Sequence, residues 1–235
     1  MGHKINLENY LDEEEFIKIM KMKKPFRKFK NKFEKNKGWV VKNDRPEEYL
    51  GDPTIYYTNE EVERYSRSGG MRRAQERIAY RVLELLELEP ESSLLDIGSG
   101  PGYTSEVYRS EGYNVTCIDL IPAMVEKAKE KGFEAYEGDM RKIKEIFINR
   151  KFDGAASVSA LQWIKDKQEL QKVAQGIYSI LNRGAPLIIQ FYPKSEQELK
   201  ETASVFTQNG FNGQTIIDWP EIPKNRTTYL VMKRN

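Results

Sequence analysis

Histidine and cysteine are all but missing from this sequence, with one of each, His3 and Cys117, in 235 residues. That scarcity excludes a zinc site assembled from Cys and His, and it excludes an internal disulfide. No apolar run approaches the roughly 20 residues that a bilayer-spanning helix needs. The first residues, Met-Gly-His-Lys-Ile-Asn-Leu, are too polar for a signal peptide and lack the Ser or Thr at position 6 of a myristoylation signal. We therefore expect no membrane partner and a cytoplasmic location. With 39% hydrophobic and 31% charged residues the composition is globular, and the length suits one α/β domain plus an extension.

A large net charge is missing too, at only +2, but the charge is unevenly spread. From Lys18 to Lys42 there are eleven Lys or Arg residues against one acid, Glu34, with Phe16, Phe26, Phe29, Phe33 and Trp39 in or beside the run. Such a stretch can hold a phosphate backbone and stack on bases. It can equally be a solvated helix whose aromatic side packs on the main domain, with Asp12 to Glu15 as intramolecular partners. Loop signals at Asn43-Asp44-Arg45-Pro46 and Gly51-Asp52-Pro53 divide a basic helical extension, 1–50, from a main domain, 51–235.

What is present is concentrated at Ser93 to Gly102, Ser-Leu-Leu-Asp-Ile-Gly-Ser-Gly-Pro-Gly. Leu94, Leu95 and Ile97 around Asp96 read as a buried parallel strand. Gly98, Gly100 and Gly102 form a turn in which side chains would block a ligand lying on the backbone. A helix follows, so strand, turn and helix N-terminus make a pocket for an adenosine-containing ligand. A dinucleotide fingerprint would need glycine at position 103, where Tyr103 stands. The bland alternative is a tight turn in some other α/β protein.

Periodicity predicts strands at 93–97, 114–119, 133–136, 153–158 and 185–192, and helices at 102–111, 122–131, 140–149, 168–181 and 195–209. Ahead of them, a helix starts at Thr58, is interrupted at Ser68-Gly69-Gly70, and a second runs from Met71 to Leu88. The alternation implies a doubly wound, mostly parallel sheet whose ligands bind at the carboxyl ends of the strands. Thr215–Trp219 and Thr227–Lys233 add two strands with no helix between them.

The pattern Asp96-x-Gly98-x-Gly100-x-Gly102, with Asp119 closing the next strand and Asp139 the one after, resembles class I (Rossmann-like) S-adenosylmethionine-dependent methyltransferases. That family's sheet ends in an antiparallel hairpin strand. The resemblance implies that Asp96 takes the cofactor's amino group, Asp119 its ribose hydroxyls and Asp139 its adenine amino group. Two hydroxyls on neighbouring carbons suit a bidentate carboxylate. Ser99, Leu120, Met140 and Ser157 complete the implied cofactor site, with S-adenosylhomocysteine as product and no metal.

At the end of the fourth strand stands Ser157-Val-Ser-Ala-Leu-Gln-Trp163. Amino-methylases of this fold carry Asn or Asp followed by Pro-Pro there, and carbon-5 pyrimidine methylases need a nucleophilic Cys; neither is present. An acceptor with a free lone pair fits instead, and guanine N7 is one, since no proton leaves it during in-line attack. Catalysis can then rest on positioning without a general base. Trp163 can stack on a base while Ser159 and Gln162 bond its edge, or Trp163 can simply cover the strand.

Four stretches narrow the likeness: Pro53-Thr-Ile-Tyr-Tyr, Glu63-Arg-Tyr65-Ser, Ser157 to Trp163, and Gln190-Phe-Tyr-Pro-Lys194. They resemble the small-subunit ribosomal RNA guanine-N7 methyltransferases of ribosome biogenesis. The likeness spans residues 52–235. It implies that Gln162, Trp163, Tyr192 and Lys194 line the acceptor pocket and that Tyr65 lies over the cofactor. It also implies ribosomal RNA as substrate and a small zinc-binding activator protein as partner. Eukaryotic members end in a basic tail, whereas here the basic run precedes the domain, which suggests a non-nuclear, archaeal-type relative with a different RNA grip. Two other readings stay open: a small-molecule methyltransferase with the extension as a lid, and a non-enzymatic ribosome-assembly factor.

Overall fold

The computed structural model describes residues 45–222 and 225–235, and the predicted basic extension up to residue 44 lies outside them. Four helices come first: α1 (Pro46–Tyr49), α2 (Pro53–Tyr56), α3 (Asn59–Ser66) and α4 (Gly69–Leu86). The alternating part follows as β1 (Ser93–Ile97), α5 (Tyr103–Ser110), β2 (Asn114–Asp119), α6 (Pro122–Glu130), β3 (Glu134–Glu137), α7 (Ile143–Ile146), β4 (Gly154–Val158), α8 (Lys167–Ile180) and β5 (Pro186–Phe191). α9 (Glu196–Gln208), β6 (Phe211–Asp218) and β7 (Thr227–Arg234) close the chain.

The seven strands pair in the order β3-β2-β1-β4-β5-β7-β6. The first five run parallel, and β7 is antiparallel to both β5 and β6. This is the doubly wound, mostly parallel sheet with a C-terminal antiparallel hairpin that the sequence predicts. Strands β4 and β5 are buried at every position, as a parallel sheet covered on both faces requires. Their period of two divides the core. Leu95, Ile97, Ala155, Leu187 and Ile189 join the layer of Val173 and Ile177 from α8. Leu94, Ala156 and Ile188 join the layer of Ala79, Val82 and Leu86 from α4.

Three boundaries differ from expectation. The Ser68 hydroxyl accepts the Met71 N–H, so the Ser-Gly-Gly punctuation is the cap and first turn of α4. The predicted helix 140–149 is a 3₁₀ turn at Met140–Lys142 followed by the single turn of α7, and it ends before Asn149, whose φ is +62°. β6 begins at Phe211, ahead of the predicted Thr215, because Asn212 to Gln214 are exposed on the sheet edge and so show no apolar pattern.

Candidate active site

The N–H groups of Gly98 and Ser99 both donate to the Ile118 carbonyl, at 2.8 and 3.1 Å, drawing the glycine turn onto the end of β2. The three glycines serve different ends. At Gly98, φ +71°, an added Cβ would lie 2.3 Å from the Ala160 Cβ, so this residue is set by packing against the loop after β4. At Gly100, φ +55°, an added Cβ would meet nothing within 4 Å, so this residue faces the open side of the turn. A Cβ on Gly102 would press on the Phe133 ring at 3.3 Å. Ligand approach therefore accounts for Gly100, and close packing for its two neighbours.

Asp119 lies beneath that turn. Its Oδ2 accepts the Gly100 N–H at 2.8 Å and its Oδ1 the Ile121 N–H at 2.9 Å, and half-buried Leu120 lies between. Burial raises this carboxyl's pKa, and these N–H groups oppose the rise. Asp96 is fully buried, and its Oδ2 accepts both the Thr104 and Ser105 hydroxyls at 2.6 Å. Its Oδ1 has no hydrogen-bond partner among the described residues. Burial pushes the carboxyl up to about 6 against those two hydroxyls. A buried acid with one oxygen orphaned beside an open glycine turn fits a ligand that brings a cation.

The remaining predicted cofactor residues have other bonds. Asp139 caps the 3₁₀ turn: its Oδ1 accepts the Arg141 N–H at 2.8 Å, and the Arg141 guanidinium lies 2.6 Å from its Oδ2. Burial would raise its carboxyl, but the guanidinium and N–H outweigh that and hold it below the ordinary range. The Met140 methyl comes within 3.9 Å of where a Gly98 Cβ would stand. The Ser157 hydroxyl is buried and donates to the Ile97 carbonyl at 2.9 Å, tying β4 to β1. Cys117 lies 3.2 Å from the Ser105 hydroxyl, and burial pushes its thiol up to about 12, which leaves it unfit as a nucleophile.

At the ends of β4 and β5, Ser159 takes a left-handed φ of +57°. Its N–H donates to the Gln190 carbonyl at 3.0 Å and its hydroxyl to Gln190 Oε1 at 2.8 Å. Gln162 Nε2 in turn donates to the Ser159 carbonyl at 2.8 Å. Gln162 Oε1 and Gln190 Nε2 are left buried without partners among the described residues. A strained backbone supporting two orphaned amide atoms marks a binding site. Half-buried Trp163 closes it, its ring 6.2 Å from Tyr56 and 6.1 Å from Tyr57. The row continues through Tyr57 to Tyr65, which stacks on Tyr103 at 6.0 Å, next to the glycine turn.

α1 and α2 cover these strand ends. Arg45 donates to the Tyr192 carbonyl at 2.9 Å and holds its guanidinium 5.1 Å from the Tyr192 ring centroid. Glu48 pairs with Lys165 at 2.9 Å and also with Lys194. Burial would raise Glu48, but the two ammonium groups hold it below the usual carboxylate range. Sequence reasoning missed Arg45, Glu48, Thr104, Ser105 and the side chain of Gln190. The Arg45-Pro-Glu-Glu signal was legible only as a loop, because a four-residue helix has no period.

Comparison with known proteins decides the family. A model described as a methyltransferase domain matches residues 95–189. The 18S rRNA (guanine(1575)-N(7))-methyltransferase of Saccharomyces cerevisiae is 34% identical over 191 residues, 75% of this chain and 68% of that protein. The 18S rRNA (guanine-N(7))-methyltransferase of Mus musculus is 32% identical over 206 residues, 82% of this chain and 73% of that one. The chain belongs to the 18S rRNA guanine-N7 methyltransferase family. Solved structures share this family's fold at low identity. A TehB-like S-adenosylmethionine-dependent methyltransferase from Corynebacterium glutamicum superimposes with a TM-score of 0.62 at 16% identity, over 76% of this chain and 100% of that one. The N-methyltransferase NodS from Bradyrhizobium japonicum, in complex with S-adenosyl-L-homocysteine, gives 0.60 at 14% identity over 74% and 97%. As a guanine-N7 methyltransferase family member, the chain is an S-adenosylmethionine-dependent enzyme.

Proposed function

We propose that this protein methylates N7 of a guanine in small-subunit ribosomal RNA. The observation that carries the proposal is the acceptor end itself. Trp163 offers a base a ring to stack on, Gln162 and Gln190 offer orphaned amide atoms, and the chain's one cysteine is buried elsewhere. Guanine N7 loses no proton as it attacks, so such a site needs alignment and exclusion of water rather than a base. Ser159 positions Gln190 and Gln162, while Tyr192 and Lys194 line the outer wall.

When bound, S-adenosylmethionine supplies a methyl group on a sulfonium. Asp96 offers its unpartnered Oδ1 to the ligand's ammonium, and Asp119 has lone pairs left for the ribose hydroxyls. The backbone of Gly98, Ser99, Gly100 and Gly102 would hold the ligand, with Tyr65, Leu120, Asp139, Met140 and Ser157 as the other residues of that site.

The proposal extends to a small zinc-binding activator as partner. Support comes from the resemblance and from β3, an outermost strand whose own Tyr136 is exposed, as is Ile148 after α7, by 68%. It places the enzyme in the cytoplasm; no helix among the described residues is long and apolar enough to cross a membrane. Incubation with labelled S-adenosylmethionine and undermethylated small-subunit RNA is the test. Label at a guanine that becomes labile to borohydride and aniline is expected. Label confined to small metabolites, or absent from RNA with and without a partner, sinks the proposal.

A further inference from the structure

Two buried amides share Ser159 at the end of the sheet, and each keeps one atom over. Gln190 is 0% exposed and Gln162 8%. The Ser159 hydroxyl donates to Gln190 Oε1, which leaves Gln190 Nε2 over. The Ser159 carbonyl can only accept, so Gln162 turns Nε2 toward it and leaves Oε1 over. Neither leftover atom has a partner among the described residues, so the two do not bond each other. Register fixes their place: Gln190, near the end of β5, pairs with Val158, the last residue of β4, and Ser159 follows Val158. The fold thus sets one unused donor and one unused acceptor at the ends of β4 and β5.

Leaving buried polar atoms unpaired is costly, and a ligand that brings one acceptor and one donor recovers that cost. Guanine carries such a pair, O6 and N1–H, on neighbouring atoms of the edge that begins at N7. Adenine carries the reverse: its 6-amino group would face the Gln190 N–H, and its bare N1 the Gln162 oxygen. We propose that Gln190 and Gln162 together select guanine, Gln190 Nε2 donating to O6 and Gln162 Oε1 accepting from N1–H, with N7 left toward the cofactor. Ser159 is the orienting residue, since a flipped Gln162 would set its oxygen against the Ser159 carbonyl. Both atoms are closed to water in the free chain, and the base reaches them as α1 and α2 move off the strand ends. This assignment rests on the guanine-N7 reading above.

The test replaces the target guanosine, located by aniline cleavage of RNA methylated by the wild-type chain, with inosine or with adenosine. Inosine has O6 and N1–H, adenosine the 6-amino group and bare N1, and neither has the 2-amino group, so the pair isolates the two atoms read. The wild type should prefer inosine by about a hundredfold or more in kcat/KM, the loss expected of two hydrogen bonds whose protein partners stay buried. Gln190→Met and Gln162→Met should each cut that preference by about tenfold, and the double variant should bring it near one. A merely structural role would lower both activities and leave the ratio intact. Where turnover is too slow to measure, the same ratio is read from the affinities of the two RNAs in the presence of S-adenosylhomocysteine. Calorimetric binding of S-adenosylhomocysteine checks that each variant is folded. A wild type that accepts adenosine as well as inosine, or a ratio unchanged in both variants, overturns the assignment. A wild-type chain that makes no N7-methylguanine overturns instead the reading beneath it.

Discussion

Asp96 and the glycines beside it let binding and folding be separated one residue at a time. The Asp96 carboxyl, at about 6 when folded against an ordinary 3.8, binds its proton more tightly in the native chain. Its contribution to the stability of the free protein is therefore full below 3.8 and is lost as pH rises through 6. A ligand ammonium acts in the opposite sense, because it favours the ionised form. Affinity for S-adenosylmethionine should fall toward tenfold per pH unit below about 6 and level off above it. Calorimetry from pH 5 to 8 checks this, and Asp96→Asn should bind weakly without that break. Gly98→Ala meets Ala160 and should destabilise the fold by about 2–4 kcal/mol in urea unfolding. Gly100→Ala should cost only about 1 kcal/mol while cofactor affinity drops far more. The spacing of these glycines was legible in the sequence, since ligand-binding turns have a short local signature. The reason for Gly98 was not, because Ala160 reaches it through the sheet.

Among the elements, the short helices α1 and α2 were the least legible and are tied most closely to the acceptor side. The hold of α1 on the strand ends runs through one cation over Tyr192 and one carboxylate shared by two lysines, and α2 adds the Tyr56 ring beside Trp163. Such partly exposed pairs contribute at most about 1 kcal/mol. Glu48→Gln should leave the unfolding midpoint within about that range while amide exchange across residues 45–57 quickens. Equal exchange in variant and wild type would show that the pairs do not hold the segment. The five parallel strands, in contrast, were legible almost to the residue, because buried runs such as Leu187 to Phe191 sit between glycines, prolines and polar turns. The predicted helix at 140–149 failed for a local reason, as Asp139 and Arg141 wind its start into a tighter turn.

For the whole molecule, the reversal of strand order between β1 and β4 gathers the glycine turn, the Ser159 turn and the β5 end along one edge of the sheet. Alternation made the doubly wound parallel sheet legible, and the resemblance its antiparallel close, but the strand order came from the structure. The sequence did not show which residues reach over the strand ends, since Arg45 and Glu48 come to them from a proline-marked loop. RNA affinity belongs to this scale. Removing residues 1–42, with their basic run, should weaken RNA binding and flatten its dependence on salt, while S-adenosylmethionine affinity stays put. Unchanged salt dependence would assign the RNA grip to the residues that remain.

The solitary cysteine makes the native chain its own clock. Cys117 lies in the middle of β2, out of reach of any reagent until the sheet around it opens, and its thiol is too weak an acid to react early. The rate at which a thiol-specific dye attaches therefore counts openings of the strand that carries Asp119. Saturating ligand should slow that attachment in proportion to its occupancy, giving a readout of binding without label, tag or mutation.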